Sequence, residues 1–198
     1  MSDEIAAIDT SSPIWDRFFS IAPLAIVATK EPDDGFDLAP KHMAMPLGWQ
    51  NYWCFVCSPR HATYRNLEQH PQFTASFPEP DQVVAASMAA GPRTEEGEKP
   101  SLRAIETFPA RHVDGVLVRH SGLWLECALE RVIDGFGENS LVVGRVVGAA
   151  APEDAVRSPD RDDADLLRAS PLTAYVSPGR FAPVGATFSF PYHVDFRL

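Results

Sequence analysis

The chain has 198 residues, 45% of them hydrophobic, which predicts a single globular domain with a buried core. The chain contains 17 Lys and Arg and 27 Asp and Glu, so its net charge is −10. Neither nucleic acid nor an anionic membrane is therefore expected as a partner. The first residues, MSDEIAAIDTSSP, lack a basic segment followed by an apolar run, and no stretch has the roughly twenty apolar residues of a transmembrane helix. We therefore expect a cytoplasmic protein.

The three cysteines, Cys54, Cys57 and Cys127, are too few and too unevenly spaced for a disulfide framework. The first two form a CxxC pair in YWCFVC. This segment is predicted to be a strand, where residues three apart point to opposite faces. We expect buried thiols in a reducing compartment rather than a metal or redox site.

The first half of the chain mixes short helices with strands. SSPIWDRFF predicts a short helix, with Ser12 as N-cap and Pro13 at the first helical position. LAIVATK, residues 24–30, is an apolar β-branched run followed by EPDDGFD, which predicts a strand, an acidic turn and a second strand. YWCFVC predicts another strand, and YRNLEQH a helix capped by Thr63 and stopped by Pro71.

Strands and loops dominate the second half. FTASF predicts a short strand, VVAASMAA a buried helix and GPRTEEGEKP an exposed linker. LWLECALERVI alternates, with Glu126 and Glu130 opposite its apolar face, and it pairs with SLVVGRVVGAA across DGFGEN as a hairpin. APEDAVRSPDRDDADLL is a second polar crossing before an aromatic final segment. Together these elements predict a mainly β fold with short helices, an antiparallel barrel or twisted sheet.

A cationic, hydroxyl-bearing cluster lies in VCSPRHATYRNLEQHP. It leaves a strand and enters a helix N-terminus, where backbone N–H groups and the helix dipole favour an anion. Arg60 can fork onto phosphate oxygens, and Ser58 and Thr63 can donate hydroxyl hydrogen bonds. Arg65 and Asn66 lie one turn further on. The cluster therefore predicts either a phosphate site or a capped surface helix with exposed arginines.

Other phosphate-binding and catalytic motifs are missing. GFGENS resembles a dinucleotide fingerprint, but it lies between two strands with no helix after it, so it predicts a hairpin turn. There is no G-x-S-x-G, and the six histidines lack the short spacing of a helical metal site. His112 and His120 are expected to be ordinary surface or packed residues. Nothing in the sequence supports a hydrolase or a metalloenzyme.

A second unusual stretch, LAPKHMAMPLGWQ, places Lys41 and His42 after a proline and between two apolar strands. One interpretation is a strand entry with two exposed cations. The other is that exposed backbone amides and one cation meet a flat polar ligand edge, such as that of a flavin ring.

Four ordered blocks make the sequence resemble the flavin reductase-like family, whose fold is the FMN-binding split barrel. They are PLAIVATKEPDDGFDLAPKHMA, YWCFVCSPRHATYRNLEQHPQFTASFP, WLECALERVIDGFGENSLVVGRVVGA and PLTAYVSPGRFAPV, spread over residues 23–184. The resemblance implies one FMN-binding domain over residues 1–198, a Greek-key-like antiparallel barrel. Its core would cover about residues 13–184, with a C-terminal extension at 185–198.

The resemblance also implies which residues hold FMN. The irregular segment after the first hairpin would line the isoalloxazine ring, and the strand-to-helix cluster would hold the phosphate. No catalytic residue is nominated, because hydride transfer to flavin N5 requires no side-chain acid, base or nucleophile. The implied cofactor-binding residues are Leu38, Ala39, Pro40, Lys41, His42, Met43, Cys57, Ser58, Arg60, His61, Thr63 and Asn66.

The chain departs from the family pattern at three places. Many relatives have a small polar residue where this chain has Lys41 and His42. They often have a histidine after the GRVV strand, where this chain has residues 148–150, GAA. They commonly have a tyrosine near the late glycine, where this chain has Phe181.

The resemblance implies an FMN-binding oxidoreductase that takes hydride from NAD(P)H and passes electrons to flavin or another acceptor, with a monooxygenase as a further partner. Two alternatives stay open: a flavoredoxin-like electron-transfer protein without its own nicotinamide site, and a non-catalytic flavin-binding module. Apolar and aromatic residues in two loop-like segments, MPLGWQNYW and the C-terminal AYVSPGRFAPVGATFSFPYHVDF, predict a homodimer with the flavin near the subunit boundary.

Overall fold

The computed structural model describes residues 4–192, in which antiparallel strands predominate and three short α-helices occur. The mainly β prediction is confirmed. The helices are α1 Ala62–Gln69, α2 Val83–Met88 and α3 Asp163–Ala169. The strands are β1 Ser20–Pro23, β2 Ala25–Lys30, β3 Phe36–Lys41, β4 Ala44–Pro46, β5 Tyr52–Cys57, β6 Gln72–Pro78, β7 Thr107–Pro109, β8 Val116–Val118, β9 Ser121–Phe136, β10 Asn139–Ala150, β11 Leu172–Ser177 and β12 Arg180–Val184.

Seven strands form one curled antiparallel sheet in the order β3-β2-β6-β9-β10-β5-β4. Its two edge strands, β3 and β4, are consecutive in the chain and only two residues apart, so the sheet must curl into a half-barrel. The predicted hairpin of β9 and β10 is confirmed, and its turn contains Gly137 with a φ of +63°, a conformation that favours glycine. The remaining strands form a three-stranded sheet, β1-β11-β12, and the β7-β8 pair.

The core has two parts because successive strand residues point to opposite faces of the sheet. On β2, Val27 packs among the aromatic side chains inside the barrel, whereas Ile26 packs on the other side with α2. Inside the barrel, the sheet comes so close to the ring of Phe73 that a Cβ at Gly144 would lie 2.4 Å from it. Glycine at this position therefore lets the barrel interior close.

The predicted helix in SSPIWDRFF does not form. Residues 11–19 are turns and irregular backbone, and Trp15 and Phe19 are exposed. A helix this short is marginal unless an apolar face packs against the protein, and these side chains have no such surface. Instead of capping a helix, the segment begins with a local turn in which Ser11 donates to the Asp9 carboxylate.

Two helix predictions need smaller corrections. Helix α1 is confirmed, but its N-cap is His61, and Thr63 lies in the first turn with its side chain buried. Helix α2 is also confirmed. It is buried only along one face, which includes Ala86, while Val84 is 65% exposed.

The alternation of β9 predicted that Glu126 lies on a solvent face, and this prediction is wrong. Glu126 is buried, and its carboxylate accepts backbone N–H groups from residues 111–113. A loop that packs over the outer face of β9 therefore replaces solvent there.

All three cysteines are buried free thiols, as predicted. Burial raises the pKa of the Cys127 thiol to about 12. Within residues 4–192, no helix has the length and apolar character needed to cross a membrane.

Candidate functional site

The predicted ring-lining segment is an edge strand with two different faces. Among residues 4–192, strand β3 has β2 as its one strand neighbour, so its outer edge has no strand partner, and Pro40, which has no N–H, suits such an edge. Ala39 and Lys41 lie opposite β2 residues that face the barrel interior. Leu38 and Pro40 face the other side, where Pro40 and His42 line a cavity. The segment is therefore not a single continuous surface.

Lys41 is buried, with 7% of its surface exposed, so the interpretation that both cations are exposed at a strand entry is wrong for this residue. Its Nζ donates to Cys57 Sγ at 3.5 Å and lies 5.7 Å from the ring centroid of Phe55. Among residues 4–192 it forms no ion pair. Because a buried ammonium without a negative partner is costly, this position favours an anionic group from a ligand.

His61 brings the helix start close to the same cluster. Its Nδ1 lies 4.0 Å from Cys57 Sγ. Desolvation, and then the positive charges of Lys41 and Arg65, lower the pKa of His61. Its imidazole is therefore neutral at neutral pH, and it can donate one hydrogen bond to a ligand without adding charge.

The N-terminus of α1 is open. No side chain from residues 4–192 caps it, and its first turn contains no acidic residue, so its backbone N–H groups suit an anion. Two predicted ligand residues of the helix point inward instead. Thr63 is buried, and the buried Asn66 donates from Nδ2 to Thr29 Oγ1 at 3.0 Å, which holds α1 against β2. A direct ligand contact for either residue stays a prediction.

Arg60 lies beside the β9–β10 turn. Its Nη2 pairs with Glu138 at 2.7 Å, and both side chains are more than 70% exposed. Its backbone N–H donates to Ser58 Oγ at 3.3 Å, which forms a tight turn before the helix. Since an exposed ion pair contributes little stability, about 0–1 kcal/mol, Arg60 can exchange Glu138 for a phosphate at small cost.

A partly buried ion-pair network that the sequence did not reveal fixes the start of β3. The Asp37 carboxylate, 4% exposed, accepts from Arg93 at 2.8 Å and from Lys99 at 3.2 Å. Lys99 also donates to the Leu38 carbonyl at 2.7 Å, and Arg93 contacts Glu31 as well. The segment GPRTEEGEKP was expected to be an exposed linker, but its two cations anchor it to the candidate site.

A cavity of about 340 Å³ lies on the other face of β3. The His42 and Tyr175 rings stack along it with centroids 4.3 Å apart, and the Tyr175 hydroxyl accepts from the Gly179 N–H at 2.9 Å. Burial, and then the positive charge of Lys41, lower the pKa of His42, so this wall is uncharged at neutral pH.

The residues at the barrel side of β3 fit a ligand with one anionic end and a flat polar ring. The open strand edge offers backbone donors and acceptors, and the ammonium of Lys41 and the open helix start offer positive charge. Cys57, Ser58 and His61 complete this group of neighbours. Of the other predicted residues, Met43 is half exposed and Leu38 is in the second core. In the ranges described, no group of His, Cys, Asp and Glu side chains could hold a metal ion.

Solved structures with this fold come from several organisms. Nitrilotriacetate monooxygenase component B from Bacillus cereus superimposes with a TM-score of 0.80 at 18% identity, over 96% of this chain and 100% of that one. Flavoredoxin of Desulfovibrio vulgaris (Miyazaki F) gives 0.75 at 19% identity, over 98% and 99%. A structure with a split barrel domain from Shewanella frigidimarina NCIMB 400 gives 0.76 at 16% identity, over 87% of each chain.

These similarities confirm the predicted split-barrel fold. No curated protein sequence matches the chain. The family model described as flavin reductase like domain matches residues 19–175. Because that region is most of the chain, the protein belongs to the flavin reductase-like family.

Proposed function

We propose that the protein binds FMN and acts as an NAD(P)H-dependent oxidoreductase that reduces flavin or passes electrons on to another acceptor. The observation that carries this proposal is the buried ammonium of Lys41, which has no carboxylate partner among the described residues and lies beside an open strand edge. In a member of the flavin reductase-like family, a flavin is the ligand that suits these features.

The phosphate of FMN would lie at the start of α1. The backbone N–H groups of the first helical turn, the Ser58 hydroxyl and the neutral His61 imidazole would donate to it. The Arg60 guanidinium would break its ion pair with Glu138 and donate hydrogen bonds to two phosphate oxygens. One compact group of donors suits a single phosphate, which supports FMN over riboflavin.

The ring would lie along the outer edge of β3. Backbone groups around Ala39 would meet its polar edge, and the Asp37 network would keep this edge in place. When bound, the flavin supplies the hydride chemistry, while the chain orients it. The positive charge of Lys41 would stabilise negative charge on the reduced ring, because Coulombic attraction is strong where water is excluded.

A second candidate is an electron-transfer flavoprotein that receives electrons from a partner protein. The likeness to Desulfovibrio vulgaris flavoredoxin over nearly the whole of both chains supports it. The likeness to a monooxygenase component B supports instead a reductase that supplies a monooxygenase. Both candidates use the same FMN site.

We further propose a homodimer with the flavin close to the boundary. The side chains of Ile21, Met45 and Trp49 are 79%, 54% and 84% exposed. Strand β1 lies against β4, so the first two belong to one region. Met43, two residues before Met45 and next to the proposed flavin edge, is also half exposed. A second copy would cover these apolar side chains.

Arg60→Ala should weaken FMN binding about ten-fold and leave riboflavin binding unchanged, because a charge-assisted hydrogen bond to phosphate contributes about 1.5–3 kcal/mol. Isothermal titration of both ligands measures this. Arg103→Ala is the matched control, since Arg103 is also an exposed arginine paired with a carboxylate, that of Glu98. Equal affinity of the wild type for FMN and riboflavin would contradict the phosphate site.

Anaerobic mixing of the FMN-loaded protein with NADH or NADPH should bleach the visible flavin absorbance. The rate of bleaching should be at least as fast as steady-state turnover. The expected reason is direct hydride transfer from the nicotinamide to the bound flavin. If neither nucleotide reduces the flavin while a reduced ferredoxin-type protein does, the electron-transfer candidate replaces the reductase.

Sedimentation equilibrium should show a dimer at micromolar concentration, and FMN should stabilise it, because a ligand near the boundary binds the assembled state better. The mass of one chain is 21.7 kDa. Trp49→Ser should weaken the dimer by removing exposed apolar area, whereas Val84→Ser, at another exposed apolar position, should not. A monomer that binds FMN tightly would exclude a shared site.

A further inference from the structure

The residues that line the cavity on the α2 side of β3 differ in charge from the protein as a whole. The chain contains 27 acidic residues, yet of those within residues 4–192 none lines this space of about 340 Å³. Its walls are largely apolar and aromatic. Among the described lining residues Arg180 alone is charged, because His42 is neutral. The volume lies in the range of about 300–1,000 Å³ that is typical of small-molecule sites.

The guanidinium of Arg180 lies at this cavity without a carboxylate partner among the described residues. The residue begins β12, next to the turn at Gly179, and it forms no ion pair within the part of the chain that the structure describes. In contrast, several other exposed arginines pair with carboxylates, for example Arg157 with Asp163. A guanidinium at an aromatic-walled cavity can pair with a carboxylate in a bidentate manner.

The aromatic wall selects for a flat ligand. The His42 and Tyr175 rings are 30° apart in orientation with centroids at 4.3 Å, and Tyr175 is fixed by the hydrogen bond from Gly179. Phe181, which follows Arg180, adds a half-exposed ring to the lining. A planar ring can pack against the side of this stacked pair that lines the cavity and against Phe181, since aromatic groups meet in offset or edge-to-face arrangements.

We propose that this cavity binds a planar aromatic carboxylate, with its ring against Tyr175 and its carboxylate on Arg180. This ligand site is separate from the proposed FMN site, because Pro40 and His42 face the cavity while Lys41 faces the barrel side of the same strand. The two ligands bind together, on opposite faces of β3.

The test uses 2-naphthoate and its neutral isostere 2-naphthamide as probes, measured by isothermal titration on the whole protein. The wild type should bind naphthoate about ten-fold more tightly than naphthamide, because only the carboxylate forms a charge-assisted pair with Arg180. Arg180→Gln should abolish this preference and leave naphthamide binding unchanged, which also shows that the variant is folded. Arg157→Gln, which removes an exposed arginine outside the cavity, should keep the preference.

The preference should persist when FMN is saturating. Equal binding of the two probes, no measurable naphthoate binding, an unchanged preference in Arg180→Gln, or displacement of naphthoate by FMN would each overturn the proposal. The proposed function is tested separately. If FMN fails to bind, the proposed flavin function is wrong. The preference for naphthoate is also measured without flavin, so it still tests the carboxylate site.

Discussion

Successive residues of β3 point to opposite sides of an open sheet edge, and the arrangement of both candidate ligand sites depends on this alternation. Lys41 is directed to the barrel side, where its ammonium meets Cys57 and the start of α1. Pro40 and His42 are directed to the cavity beside α2. A shift of register by one residue would direct His42 into the barrel and Lys41 to the α2 side, so the pairing of β3 with β2 must be held firmly.

The Asp37 network holds that register at the other end of the strand. Asp37, opposite Thr29 on β2, is nearly inaccessible to water and pairs with Arg93 and Lys99. Because Asp37 has two cationic partners, loss of either one leaves the buried carboxylate paired with the other. The segment that carries both cations therefore stays closed over the strand. Arg93 and Lys99 are balanced by Asp37 and Glu31, so the ammonium of Lys41, which has no ion pair among residues 4–192, supplies the uncompensated positive charge at β3.

The sequence predicted the elements whose signals are local. The β9–β10 hairpin follows from alternation and turn residues, β5 from its aromatic run, and α1 from its position between a strand and Pro71. The helix expected at residues 11–19 also had good local signals, but it has no surface to pack against, which no local pattern reveals. Elements were thus predictable where their stability is decided within a few neighbouring residues.

The site was predictable only in part, for the same reason. The ordered blocks of the family indicated the strand edge and the helix start. Whether Lys41 is exposed depends on how the sheet curls to bring Cys57 beside it, 16 residues away in sequence. The partners of Asp37 are 56 and 62 residues away, and Arg180 reaches the cavity from the far end of the chain. Such contacts follow from the three-dimensional fold and have no spacing signal in a single sequence.

Hydrogen exchange of the backbone amides, with FMN and with riboflavin, tests most directly whether a flavin lies along β3 with its phosphate at α1. Both ligands should slow exchange of the outward-facing amides of β3. Only FMN should slow exchange in the first turn of α1, because riboflavin has no phosphate to accept these N–H groups. No protection of β3 by either ligand, or equal protection of α1 by both, would contradict this account of the site.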